Sequence, residues 1–95
     1  MIDEFCIVRT YSAGVHCGIV REISYTSGGG AVMLTDARRI WQWSEAFTLN
    51  EVATNGCGES SRISQPVNKI LLLQAIEVIP CTAKAKKNLQ RSRNG

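Results

Sequence analysis

Ninety-five residues make a single domain with a thin margin of stability, because a chain this short buries only about two-thirds of its unfolded surface. An apolar fraction of 44% excludes a disordered chain, and no run reaches the roughly 18 apolar residues of a membrane span. The net charge of +3 conceals a division: residues 83–95 hold five basic side chains and no acid, which leaves six basic against eight acidic residues in the first 82, a net of −2. The body is therefore not the basic surface of a nucleic-acid-binding protein.

Glu4 to Thr10 alternates as a strand, with Phe5, Ile7 and Arg9 on one face and Cys6, Val8 and Thr10 on the other. Ala13-Gly14 is a turn signal, and Val15 to Tyr25 reads as the returning arm of a hairpin. Thr26-Ser27-Gly28-Gly29-Gly30 is a loop; it lacks the lysine and the following helix that a phosphate cradle needs. Ala31 to Leu34 is a third strand. The segment Ala37 to Trp43 continues as a strand or makes a short helical turn. As a strand it puts Arg39, Trp41 and Trp43 on one face, opposite Arg38, Ile40 and Gln42.

Thr48 and Glu51 form a capping box that starts a helix, with Phe47 and Val52 as its hydrophobic staple and Asn55-Gly56 as its end. Gly58 to Gln65 is a polar loop. Val67 to Ile79 is a long strand, bent or split near Gln74 and stopped by Pro80. Thr82 caps a last helix that runs to about Gln90. The order β-β-β-(β)-α-β-α defines an α+β fold: a small, mainly antiparallel sheet with two short helices on one side. Residues 1–82 would form the compact core, and 83–95 a basic helix with a frayed tail.

The four cysteines are never spaced as Cys-x-x-Cys and the chain has one histidine, so neither a zinc site nor a cofactor is expected. They read as free thiols of a reducing compartment, mostly in the core, with Cys57 exposed in its glycine loop. The start Met1-Ile2-Asp3-Glu4 is acidic and lacks the charge order of a secretion signal, which points to the cytoplasm.

One group rises above background: Arg9, Thr10, Tyr11, Ser12 and His16, with Arg38, Arg39, Trp41 and Trp43. Arginine forks suit phosphate or carboxylate, and flat aromatic faces suit a base. Together they make a nucleotide pocket; alternatively the tryptophans are core and the arginines pair with Glu22, Asp36 or Glu45. Ser12 and His16 flank a tight turn with no acid placed to orient the imidazole, so no hydrolytic site is read there and the protein is not expected to be an enzyme.

The segments Val8-Arg-Thr-Tyr-Ser-Ala-Gly-Val-His-Cys-Gly18, Leu34-Thr-Asp-Ala-Arg-Arg-Ile-Trp-Gln-Trp43 and Glu77-Val-Ile-Pro-Cys-Thr82 together resemble a family of uncharacterised phage and prophage proteins of about this length. The likeness runs from about Cys6 to about Leu89. It implies a phage setting, in which small proteins often act by binding a host component, and some capture nucleotide-derived immune signals. The first reading is thus a non-enzymatic accessory protein that binds a small nucleotide-like ligand in the bacterial cytoplasm. The second is an inhibitor of a host protein, with Trp, Tyr and Arg as anchors. The third, resting on the basic tail, is a nucleic-acid-binding protein. A homo-oligomer is expected, because a second copy would cover an exposed sheet face.

Overall fold

The computed structural model describes residues 1–26, 29–43 and 48–92. Among the described residues, five strands and two helices follow the expected order, with the segment from Ala37 continuous with β3 and a two-residue β4 inside the stretch read as a polar loop: β1 (Phe5–Thr10), β2 (Val15–Thr26), β3 (Gly29–Gln42), α1 (Leu49–Asn55), β4 (Arg62–Ile63), β5 (Val67–Pro80) and α2 (Ala83–Arg91). All pairings are antiparallel, in the order β2-β1-β5-β3-β4. A further pairing of β2 with β3 joins the two sides, so β1, β2, β3 and β5 close into a ring.

Closure gives the alternating strands two buried faces. Cys6, Val8, Val20, Val32, Leu34, Ala37 and Leu72 fill the inside of the ring. On the outside of the same strands, Phe5, Ile7, Cys17 and Ile40 pack with Ile63 and with Leu49, Val52, Ala53 and Leu89 of the two helices. The helices thus cover one side, as the sequence indicates, and the inner face is covered by the sheet's own curvature.

Four irregularities among the described residues bend the ring strands; one skips Arg21, between the Val20–Leu34 and Glu22–Met33 pairs. Asp36 takes a left-handed conformation (φ 50) beside Thr35 and Ala37, a conformation that aspartate tolerates better than most residues. Gln74 also has positive φ (56) and is skipped in the pairing with β3, which runs Ala31 to Leu73 and then Gly30 to Ala75. Ile76 is skipped in the pairing with β1. The bend expected near Gln74 is therefore a pair of bulges inside one continuous strand.

At Gly18 the bulged β3 comes close to β2: an added Cβ would lie 2.9 Å from Thr35 O and 3.1 Å from the Ala37 Cα. Both neighbours are backbone and cannot turn aside. Gly18→Ala is expected to destabilise the fold by about 2 kcal/mol, read as a lower urea midpoint; an unchanged midpoint would show that the closure is looser than the distances imply.

The helix ends follow their sequence signals. Asn50 N–H donates to Thr48 Oγ1 at 3.2 Å and Thr48 N–H donates to the Glu51 carboxylate at 2.9 Å, which completes the capping box. The staple partner Phe47 lies outside the described residues. Thr82 caps α2, whose Ala85 and Leu89 are fully buried. Among the described residues no helix is long and apolar enough to cross a membrane. Cys57 departs from expectation: it is buried, because Asn88 grips its backbone, accepting from Cys57 N–H at 2.9 Å and donating to Cys57 O at 3.0 Å.

Candidate functional site

The ring has an opening in its wall. β1 ends at Thr10, opposite Ala75, whereas β5 runs back to Val67 with only β3 beside it. After the bond from Tyr11 N–H to Gln74 O, no strand among the described residues flanks that side of β5. The result is an open cleft of about 560 Å³. Ile70, Leu71, Leu72, Leu73 and Gln74 form one wall, Ser12 and Ala13 another, and Gly29, Gly30 and Arg39 complete it.

The Ser12 rim is held by Thr10. Its Oγ1 accepts from Ala13 N–H at 2.8 Å and donates to Gly14 O at 2.9 Å. Arg39 is fixed at its backbone by Ser64, which accepts from Arg39 N–H through Oγ at 2.8 Å and donates its own N–H to Arg39 O at 2.9 Å. Arg39 stands opposite His16 across the β2–β3 ladder, and its Nε–H donates to His16 Nε2 at 3.4 Å. No carboxylate among the described residues pairs with Arg39.

His16 is only 2% exposed. Burial, reinforced by the Arg39 charge, lowers its pKa to about 4, so it is neutral near pH 7. Its Nδ1 is the only buried side-chain polar atom among the described residues that has no hydrogen-bond partner.

The candidate residues separate in space. Ser12, His16 and Arg39 come together at or behind the cleft, with Thr10 bracing its rim. Arg9 faces the other way and pairs with Glu77 at 3.4 Å. Arg38 points to the opposite face from Arg39, as a continuous strand requires. It is buried, and its guanidinium donates to Ser64 O at 2.8 Å, Leu89 O at 2.8 Å and Gln90 O at 3.4 Å. Trp41 is half exposed, with the Arg62 guanidinium 5.2 Å from its ring centre. Trp43 packs against the helix-side core and Tyr11 is exposed. None of these three aromatics is among the residues that line the cleft.

Sequence reasoning missed the apolar wall and Gln74. A polar residue breaking the longest apolar run was the available signal. A larger cleft of about 660 Å³ lies between α2 and the segment after α1, lined by Cys57, Glu59, Lys87 and Arg91 among others. Its exposed charges are of both signs, and it holds no unpartnered buried polar atom. The smaller cleft has the more specific chemistry. The thiols of Cys6, Cys17 and Cys81 are pushed up to about 11, 12 and 12 by burial and stay protonated, which removes them as nucleophiles at neutral pH.

Fold and site together define a small antiparallel β-ring braced by two helices, with one arginine at an opening in its wall. A family model described as a domain of unknown function, DUF6948, matches residues 3–89, and the chain belongs to that family. No curated protein and no solved structure matches it.

Proposed function

We propose that the protein is a non-enzymatic phage accessory protein that takes a small nucleotide-like ligand into the cleft beside Arg39 and so sequesters a host immune signal. The observation that supports this is the Arg39 guanidinium: it borders a ligand-sized opening, and no carboxylate among the described residues neutralises it. In this reading Arg39 holds a phosphate and Ser12 supplies a hydroxyl. The base lies against Leu71 and Leu73, in place of the tryptophan stacking that the sequence suggests.

Native mass spectrometry of protein purified gently from host cells, followed by calorimetry with a nucleotide panel, tests it. A retained mass of a few hundred daltons, or a bound panel member, is expected, with affinity about fifty-fold weaker in Arg39→Ala. Absence of any heat or thermal shift across the panel would sink the reading.

A second reading has its own support. Leu71, Leu73 and Ile76 of β5, together with Tyr11 and Trp41, are each more than half exposed. Exposed apolar side chains such as Leu71, Leu73 and Ile76 on one strand suit a protein partner, either a second copy in a homo-oligomer or a host protein. The same mass spectrum reports the copy number, and a pull-down from host lysate separates the two partners.

A further inference from the structure

We propose that His16 is a positioning residue for the cleft: its Nε2 accepts the Arg39 Nε–H and thereby aims the terminal guanidinium nitrogens at an anionic group bound there. The inference rests on the reading of the cleft as an anion site and names the residue that prepares it.

The tautomer follows from the donor. A guanidinium only donates, so the imidazole nitrogen facing Arg39 Nε–H must accept, and the proton of the neutral ring must sit on Nδ1. That Nδ1–H is buried and meets no acceptor. His16 stands between Val8 on β1 and Arg39 on β3, and the inside of the ring beyond it is apolar. A leucine here would leave no orphaned donor and no desolvated ring nitrogen. Stability therefore gives no account of this histidine, and a residue kept against stability is most simply explained by function.

The other arginines of the strands show what is particular about the pair. Arg9 and Arg21 are held by Glu77 and Asp3, whose carboxylates cancel the charge they orient. Arg38 is spent on main-chain carbonyls. Arg21 also donates through Nε to Thr35 Oγ1 at 3.0 Å, but its charge is already paired with Asp3; Arg39 instead has the neutral His16 as its side-chain partner and no carboxylate among the described residues, which limits the entropy of a long, flexible residue and leaves its charge for a ligand. With its Cα fixed by Ser64 and its Nε by His16, the guanidinium is organised before the anion arrives.

The test uses inorganic pyrophosphate as the probe and the Arg39 Nε–H resonance as the readout. Pyrophosphate is expected to shift that resonance in the unmodified protein. His16→Leu is expected to melt no lower than the parent yet bind pyrophosphate about ten-fold more weakly, and His16→Gln, whose amide oxygen can accept from Arg39, to recover to within about three-fold. Recovery by glutamine separates positioning from packing. Equal affinity in His16→Leu overturns the positioning role while the anion site stands. No response of Arg39 in the unmodified protein overturns the anion site, and the positioning role with it. An independent check needs no variant: a nitrogen-15 imidazole spectrum at pH 7 with the proton on Nε2 rather than Nδ1 overturns the proposal.

Discussion

Arg38→Ala is expected to cost about 4 kcal/mol, a large part of the total stability of a domain this size. The Arg38 side chain joins three stretches that are distant in sequence. It leaves β3, reaches Ser64 O just beyond β4, and ends on Leu89 O and Gln90 O in the last turn of α2. Those helix carbonyls are among the groups left without an intrahelical partner, and they carry the negative end of the helix dipole. Alanine would leave three main-chain acceptors unpaired and open a void beneath Leu89, which is fully buried. Urea unfolding and melting curves would read the loss, with a fall of roughly 15–30 °C. Arg38→Lys should recover only part, because one ammonium cannot span carbonyls on two separate segments. A loss under 1 kcal/mol would mean that α2 is held by its apolar face and that the arginine is incidental.

Acidification should produce the second large effect. His16 has a folded pKa of about 4 against 6.5 when unfolded, lowered first by burial and then by Arg39. Between those values the unfolded chain takes up a proton that the folded one refuses. The cost of keeping His16 unprotonated in the fold is therefore absent above pH 6.5, grows as the pH falls, and is complete near pH 4, a loss of stability on the order of 3 kcal/mol. Denaturant titrations between pH 7 and pH 4 would show the slope. It should be largely absent from His16→Gln, which separates the imidazole from the carboxylates that titrate at the lower end. An equal slope in both proteins would show that His16 can be protonated in place.

Much of this architecture is legible in the sequence because it is local. The Thr48–Glu51 capping box needs four residues, and the alternation that separates Arg38 from Arg39 needs two. Gln74 announces a bend by interrupting an apolar run. What escapes is non-local. Ring closure depends on bulges at Arg21, Asp36, Gln74 and Ile76, whose effect is felt only where strands meet. β4 is two residues long and has no periodicity to read. The Arg38 clamp ends on main-chain carbonyls 51 and 52 positions away, and those atoms carry no side-chain signature. Sequence adjacency does not carry the tryptophans to Arg39: Trp41 sits at a register shift between Ile40 and Gln42 beside β4, and Trp43, beyond the end of β3, packs into the helix-side core.

The closed ring also determines how quickly the chain can reach its native state. β2 and β3 are neighbours and can zip from their connection, whereas β1 must wait for β5, with Cys6 opposite Pro80 and Val8 opposite Val78. Loops of some seventy residues close slowly relative to hairpins, and folds dominated by such pairings take milliseconds to seconds. Until β5 arrives, Cys6 and Val8 can pack against Val20, Val32 and Leu34 of β2 and β3 but lack Leu72, and the β5-facing edge of β1 has no partner. A nascent or partly denatured chain would therefore present β1 as an unsatisfied, apolar strand edge, the species most prone to join a neighbour's sheet.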